Sequence, residues 1–460
     1  MIKPTLIVAG AITALLSLAA CEEDTRERKV TTHTSPGGFT FNLLEIRDEG
    51  DTDVSLQIAW PTDWTYDATR NQAVPHVATE VLLAGGTQTR SPQQILEFFE
   101  DSNAEGYISS LPDYVVGELF FTDQNRAEVI AVAAELLSAP TISPDWMDRT
   151  KTSLQGRHKE INATAANRMW SAGRHAVFGD TPLVQYLGLG TSTDIANVNI
   201  PAIEAWHADT FTQTEAAIAI VGAISAEEAG GYVDTLLSGL PKGTPKQSNT
   251  TLGDYSPRTI LLHDPSATKT SLGFLTNLPH VSDGQGYADM LLTEYLGQSG
   301  DGPMFNKVRT DLRATYRVEV GVTNYNNANR LMYVAAEVDD ARLAEIRDAI
   351  VETYEAFRTT GKITDYEDHR QGIADYMAEE MEYFDVAAFA ILLRGLRGQD
   401  QAIVPTMAEH VLSYEQGALK ERLLSHYAAG ADLVVLAVSP NADALPGACV
   451  ITDVTEAADC

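Results

Sequence analysis

The sequence predicts an α+β fold of two similar tandem domains, each with a mostly antiparallel sheet covered on one face by helices. Two observations predict it. The order strand, helix, capped long helix occurs once in each half of the chain, and a repeated order of elements indicates internal duplication. Between the halves, the segment 240–257, "LPKGTPKQSNTTLGDYSP", lacks apolar periodicity and is rich in Pro, Gly, Ser, Thr and Asn, which is typical of a linker. Strands mixed with long helices on short connections favour sheets with helices on one face.

The first half supplies the first copy of this order. "VVGELFFT" has the composition of a strand, and "QNRAEVIAVAAELLSAP" has apolar residues at the three-and-four spacing of a helix. Ser143 and Pro144 predict the start of another long helix, because serine caps helix N-termini and proline is favoured at the first helical position. A later strand, "AAIAIVGAI", precedes a capping box formed by Ser225 and Glu228.

The second half repeats the pattern. The predicted strand "LMYVAAEV" leads into the helix "DARLAEIRDAIVETYEAFRTTG", and Thr364 and Glu367 form a capping box that opens a further long helix. "DLVVLAV" is the matching late strand. The predicted boundaries are 1–20 for a signal peptide, 21–38 for a flexible tether, 39–239 and 258–445 for the two domains, 240–257 for the linker and 446–460 for a C-terminal tail.

The N-terminus has the layout of a secretion signal. "MIKPTLIVAGAITALLSLAAC" has one lysine, an apolar run and then Cys21, and the run is too short for a comfortable membrane span. "LAAC" is similar to a bacterial lipobox, in which the cysteine is lipidated, whereas ordinary cleavage prefers a small residue at Leu18. We therefore expect a lipid anchor on the periplasmic face of a bacterial membrane. Glu22, rather than an aspartate, follows the cysteine and favours the outer membrane; a plain secreted protein is the alternative.

Charge and cysteine content narrow the partners. The formal net charge is −32, and such a field repels nucleic acid and anionic lipid, so neither is expected as a partner. The charge serves solubility or gives an acidic chamber that attracts basic peptides; both interpretations stay open. Cys449 and Cys460 are close in sequence and lie in an oxidising compartment, which predicts a disulfide, with two free thiols as the alternative.

The stretch "HVATEVLLAGGTQTRS" carries the first candidate site. On a helix over 72–84, Val77 and Val81 lie four residues apart on one face with Glu80 beside them. In an inverted zinc-peptidase helix, H-x-x-E-H, two histidines take those positions and the glutamate polarises the metal-bound water. Valine offers no lone pair. His76 and Glu80 are also four apart, so a displaced site completed by His158 or Glu160 is a further alternative.

The longer stretch "EVLLAGGTQTRSPQQILEFFEDSNAEGYISS" resembles the metal-helix segment of the insulinase/pitrilysin family, which includes mitochondrial processing peptidase. The resemblance places the two histidine positions of the family on Val77 and Val81 and its catalytic glutamate on Glu80. It places the third ligand near Gly156 and Arg157, and neither residue can replace a glutamate. The resemblance covers about 39–438 and implies a half clamshell that lacks all three metal ligands.

A second stretch, "LLTEYLGQSGDGPMFNKVRTDLRATYRVEVGV", resembles the family segment that carries an arginine and, seven residues later, a tyrosine. Arg309 and Tyr316 match that pair. A tyrosine hydroxyl can stabilise the oxyanion of the tetrahedral intermediate, and an arginine fork can hold a substrate carbonyl or carboxylate. Without the resemblance, Arg309 would be a solvated helix residue and Tyr316 a core residue of a strand.

The resemblance therefore implies a non-metal-binding subunit of a heterodimeric zinc metallopeptidase. This chain would complete the peptide chamber and lend Arg309 and Tyr316 to a partner with an intact H-x-x-E-H motif, which would carry the zinc; no cofactor is expected on this chain. Alone, the chain is expected to be inactive. The alternatives are a peptide-binding or scaffold protein without a role in proteolysis and, last, a self-sufficient metallopeptidase.

Overall fold

The computed structural model describes residues 28–46, 48, 50–247, 251–300, 302–315 and 317–460. The strands are β1 (Val30–Thr34), β2 (Thr40–Glu45), β3 (Val54–Pro61), β4 (Glu105–Ser110), β5 (Tyr114–Phe121), β6 (Ala217–Gly222), β7 (Arg258–His263), β8 (Thr270–Leu278), β9 (Val318–Asn324), β10 (Arg330–Val338), β11 (Val434–Ser439) and β12 (Cys449–Ile451). Each of these strands joins one of two six-stranded sheets.

The helices follow the repeat. They are α1 (Val74–Ala84), α2 (Pro92–Asp101), α3 (Arg126–Ser138), α4 (Pro144–Ile161), α5 (Ala165–Phe178), α6 (Pro182–Leu187), α7 (Ser192–Asn197), α8 (Ile200–Thr210), α9 (Ala226–Leu237), α10 (Gly286–Gly297), α11 (Leu343–Thr360), α12 (Tyr366–Glu380), α13 (Phe384–Leu396), α14 (Met407–Leu412) and α15 (Gln416–His426). A π-helix spans Phe305–Asp311. Within the described residues, no helix has both the length and the apolarity needed to cross a bilayer.

Five strands of each sheet have matching topology, which confirms the predicted α+β tandem fold, and the sixth differs: β1 is antiparallel to β2, whereas β12 is parallel to β7. Their strand orders are β1-β2-β6-β3-β5-β4 and β12-β7-β11-β8-β10-β9. In each sheet one inner pair is parallel, β2 with β6 and β7 with β11, and the strands that follow it are antiparallel. Helices of the same half cover one face of each sheet and close a core that is almost completely shielded from solvent.

The opposite face of each sheet is covered by a helix from the other half. Helix α5, from the first half, packs on β8 and β11 of the second sheet, and α13, from the second half, packs on β3 and β6 of the first. The approach of α5 is close, because a Cβ placed on Gly173 would lie 2.5 Å from Leu436 Cδ1. Met169 and Ala176 of α5 belong to the same buried cluster as Ile260 and Leu262 of β7. The two halves are therefore interlocked.

The structure differs from three sequence-based predictions: the N-terminal tether, the C-terminal tail and the cap of one helix. The tether predicted over 21–38 contains β1, which pairs antiparallel with β2. Its sequence, Val-Thr-Thr-His-Thr, lies at an exposed sheet edge, so no apolar alternation marks it. The tail predicted over 446–460 instead adds β12 to β7 and ends in a 3-10 helix that packs on α5. A disulfide joins Cys449 and Cys460 within it.

The third difference is the capping box predicted at Thr364 and Glu367. Helix α12 is instead capped at Asp365, which has a φ of 49° and makes no side-chain cap hydrogen bond. The Thr364 N–H donates to the Tyr295 hydroxyl at 2.9 Å, so tertiary contact fixes this helix start. The caps at Ser143 and Ser225 are present, since each side chain accepts a hydrogen bond from the backbone three residues on. Only the serine half of the box predicted at Ser225 and Glu228 is formed, and the Glu228 carboxylate accepts from the Tyr232 hydroxyl instead. Between Leu237 and Arg258 the described residues form no helix or strand.

The interlocked packing predicts that the two halves unfold together. Met169 is 1% exposed and packs from α5 against Gly273 of β8. Met169→Ala should lower the free energy of unfolding by about 2–5 kcal/mol and leave a single transition in a urea titration followed by circular dichroism. The control is Leu424→Ala, at a side chain that is 47% exposed. This change should alter the free energy of unfolding by less than about 0.5 kcal/mol. Separate transitions for the two halves would contradict the interlock.

Candidate functional site

The positions that the resemblance assigns to the metal ligands are part of the protein core. Val77 and Val81 are both 0% exposed and belong to the apolar cluster between the first sheet and its own helices, together with Leu154 of α4. Helix α1 begins with a proline in its first turn, which fixes its start and hence the face that these valines occupy. Their side chains pack and do not coordinate, so this donor set does not fit a zinc ion.

Glu80 has a different partner from the one that the motif would require. It is exposed on α1 and forms an ion pair with Arg157 of α4, the residue at the expected position of the third metal ligand. A guanidinium therefore lies against the carboxylate where the motif would place a metal ion. Exposed ion pairs of this kind contribute about 0–1 kcal/mol, but the fixed positive charge beside Glu80 opposes binding of a second cation.

His76 has a structural role. Its Nε2 atom donates to the Tyr186 carbonyl oxygen at 2.9 Å, and the two rings lie 4.5 Å apart between centroids. Burial lowers the pKa of His76 to about 4, against the smaller opposite effect of the bond to Tyr186. His158 Nδ1 lies 3.2 Å from the Gly188 carbonyl oxygen, and Glu160 is exposed. The described part of the chain contains no group of three metal-ligating side chains, so the displaced site is not assembled.

Arg309 lies on the π-helix, half-buried, with its guanidinium carbon 5.5 Å from the centre of the Phe305 ring. Tyr316 and Cys21 lie outside the described residues. Arg309 lines an open cleft of about 1020 Å³, which is at the upper end of the range of about 300–1,000 Å³ for ligand pockets. The cleft could thus take several residues of a peptide.

The cleft combines an apolar floor with charged walls. Trp170 of α5 packs edge-on against Tyr333 of β10, with 5.5 Å between ring centroids, and lines the cleft with Met169. The walls carry both basic and acidic side chains, and some of these form ion pairs with each other. Lys269 lies 2.5 Å from Glu337, and Arg317 lies 2.7 Å from Glu319. Sequence analysis identified Arg309 and missed Trp170, because no local pattern places a helix of the first half beneath the second sheet.

A protein-family comparison matches residues 197–371 to the family described as the peptidase M16 inactive domain. Over this range the chain is similar to a domain that is described as inactive. The match agrees with the predicted resemblance to the insulinase/pitrilysin group, which places its two histidine positions on Val77 and Val81. A search of curated proteins finds no significant match.

Several solved structures share the fold of this chain. A peptidase M16 inactive domain from Pseudomonas fluorescens is 18% identical with a TM-score of 0.79, over 90% of this chain and 98% of that one. The first half of the periplasmic protease PqqL from Escherichia coli is 13% identical with a TM-score of 0.68, over 94% and 96%. The ferredoxin protease FusC, solved as a point mutant in complex with Arabidopsis ferredoxin, is 15% identical with a TM-score of 0.72. This chain covers 47% of the FusC chain.

The lowered pKa of His76 predicts a loss of stability in acid. The unfolded chain takes up a proton on this histidine near pH 6.5, whereas the folded chain does so only near its pKa of about 4, so the contribution is complete above pH 6.5 and decreases as the pH falls. The decrease should reach about 2 kcal/mol, less than the full shift would give because the ring is partly exposed.

The free energy of unfolding can be measured by urea titration at pH 7.0 and at pH 4.5. In His76→Gln the difference between the two values should be smaller than in the wild type by about 2 kcal/mol. Glutamine keeps a donor for the Tyr186 carbonyl oxygen and does not titrate. Burial also lowers the pKa of His175 and His207, so part of the slope should remain. An unchanged slope in His76→Gln would contradict the assignment.

Proposed function

We propose that this chain is the non-metal subunit of a two-chain zinc peptidase on the periplasmic face of a bacterial membrane. In this proposal the chain closes a peptide chamber and presents Arg309 and Tyr316 to a partner that carries an intact H-x-x-E-H helix. One observation carries the proposal: Val77 and Val81 fill the metal positions with core packing, whereas Arg309 lines a cleft of peptide size.

The solved proteases that this chain resembles include larger polypeptides. This chain covers 47% of FusC and 50% of the full-length PqqL chain, so those proteases contain about twice as much protein in one polypeptide. In this proposal a second chain supplies the other half of such an enzyme, together with the metal ligands that the described residues do not provide. The partner is inferred to be a homologous subunit, because duplicated α+β halves offer matching surfaces.

The chemistry assigned to the pair follows from charge development during peptide hydrolysis. Negative charge builds on the former carbonyl oxygen in the tetrahedral intermediate, and a hydroxyl held at that oxygen stabilises it in a cleft with little water. Arg309 would hold the peptide by a carbonyl or carboxylate group. Zinc on the partner would activate the attacking water, and this chain supplies binding and orientation.

The role of the pair can be tested in a reconstituted mixture. A purified homologue with H-x-x-E-H, encoded beside this gene, should cleave a quenched fluorescent peptide only with this chain present. Tyr316→Phe should lower kcat by about 10²- to 10³-fold, as expected for the loss of one oxyanion donor, and Arg309→Met should mainly raise KM. Tyr383→Phe, at an exposed tyrosine on the N-terminal side of α13, is the matched control.

The activity of this mixture distinguishes the proposed subunit from a scaffold protein and from a self-sufficient peptidase. Assembly by analytical ultracentrifugation without any loss of activity in Tyr316→Phe and Arg309→Met would favour the scaffold alternative. Hydrolysis by this chain alone, with stoichiometric zinc bound, would overturn the proposal.

Anchoring is a separate part of the proposal. Cys21→Ala should abolish incorporation of radiolabelled palmitate and release the protein from the membrane fraction into the periplasmic fraction, because a lipidated cysteine is the only attachment proposed. Cys449→Ala/Cys460→Ala, which removes the C-terminal disulfide, is the control and should stay in the membrane fraction. A soluble wild-type protein would contradict the anchor.

A further inference from the structure

The floor of the cleft beside α5 is built from small side chains. On neighbouring strands, Ser271 of β8 pairs with Glu337 of β10, and Gly273 pairs with Ala335. Gly273 faces α5, because a Cβ placed on it would lie 2.7 Å from the Met169 Cε atom. Alternate residues of a strand point to the same face of the sheet, and paired residues share that face. Ser271 and Ala335 therefore also point toward α5, and both line the cleft.

Trp170 supplies an aromatic wall to the same space. Its Cη2 atom would lie 3.6 Å from a Cβ placed on Gly273, so the indole reaches down to the small residues of the floor. The Tyr333 ring packs edge-on against it and holds its orientation, while the Trp170 side chain stays partly exposed. A partly exposed indole in a cleft is a surface on which a large apolar side chain can pack.

The Ser271 hydroxyl has a hydrogen bond to give. The residue is 2% exposed, and among the described residues its hydroxyl oxygen has no hydrogen-bond partner. The neighbouring Thr270 differs, because its hydroxyl donates to the Asp340 carboxylate at 3.0 Å. An unpaired buried hydroxyl is unfavourable. Since Ser271 lines the cleft, a ligand there can supply the acceptor, and the backbone carbonyl oxygen of a peptide is such an acceptor.

The ionic groups on the floor strands are paired with one another. Glu337 forms an ion pair with Lys269, and Glu319 forms one with Arg317. The charges of the floor are therefore largely balanced beside Trp170. A charged side chain placed against the indole would lose water without gaining an unpaired opposite charge from these strands, which is unfavourable. This part of the cleft thus favours an uncharged side chain.

We propose that Trp170, Ala335 and Ser271 form a subsite for one bulky apolar side chain of a peptide bound in the cleft. The side chain packs on Trp170 in the space above Ala335, and the Ser271 hydroxyl donates to a backbone carbonyl oxygen of the same peptide. Trp170 sets the preference for the side chain, whereas Ser271 adds affinity for any peptide. The inference rests on the proposed function and deepens it by naming the substrate class, peptides with a large apolar residue.

The test is direct peptide binding to the full chain without a partner, followed by fluorescence anisotropy. Four labelled hexapeptides are compared that differ at one central residue, which is phenylalanine, alanine, aspartate or lysine. The phenylalanine peptide should bind at least about tenfold more tightly than the alanine peptide, as expected for burial of an aromatic ring. The aspartate and lysine peptides should bind no more tightly than the alanine peptide.

Four variants separate the contributions. Trp170→Ala should reduce the preference for phenylalanine over alanine to less than about twofold. Ala335→Leu fills the space and removes no contact, so it should also abolish the preference, and it decides the matter if Trp170→Ala does not fold. Ser271→Ala should weaken both peptides equally, by about two- to tenfold, and leave the preference intact. Trp146→Ala, at a tryptophan of α4 that is 40% exposed, is the matched control and should change nothing.

Equal affinity for the phenylalanine and alanine peptides, or a preference that persists in Ala335→Leu, would overturn the proposal. Tightest binding of the aspartate peptide would assign the cleft to an acidic side chain held by Arg309 or Arg313 and would also overturn it. Because no partner is present, these results are separable from the activity of the two-chain mixture. A phenylalanine preference together with an inactive mixture would support the subsite and count against the peptidase subunit.

Discussion

The exchange of α5 and α13 between the two sheets is the constraint on which the rest of the structure depends. Each half covers one face of its sheet with its own helices, and the opposite face is closed at its centre by a single helix from the other half. The close contact at Gly173 sets the height of α5 above the second sheet. The distance between α5 and the second sheet sets the position of Trp170. The cleft beside Arg309 is therefore formed by residues of both halves, although its charged walls come from the second half.

At the positions that the resemblance assigns to metal ligands, the structure shows apolar packing and one ion pair. Full burial of a valine side chain is favourable by about 1.5–3 kcal/mol, whereas an exposed ion pair such as Glu80–Arg157 contributes about 0–1 kcal/mol. Packing of Val77 and Val81 therefore accounts for most of the stabilisation in this region. The ion pair adds little energy but places the Arg157 guanidinium beside Glu80, on the side of the helix where the resemblance would place a metal ion.

Sequence reasoning could predict what local patterns encode. The duplicated order of elements, the Ser143 and Ser225 caps and the two valines on one face of α1 all follow from spacing within one or two turns. Strand β1 could not be predicted, because four of its five residues are polar and its partner β2 is fixed by tertiary pairing rather than by a local pattern. Nor could the Asp365 cap or the position of Trp170 beneath the second sheet, since both depend on partners more than 60 residues away in the chain.

The two halves place different ionisable groups on comparable faces of their sheets. On the first sheet, Glu118 of β5 lies near Asp385 at the start of α13, and burial together with that aspartate raises the pKa of Glu118. On the second sheet the cleft beside α5 is lined by four cations and four carboxylates: Lys269, Arg309, Arg313, Arg317, Glu319, Glu337, Asp339 and Asp340. The same backbone frame thus presents a carboxylate pair in one half and a mixed set of charges in the other. Val77 and Val81 are packed in the core of the first half, so the charged groups that could contact a peptide in this cleft come from the second half, on a floor that the first half provides.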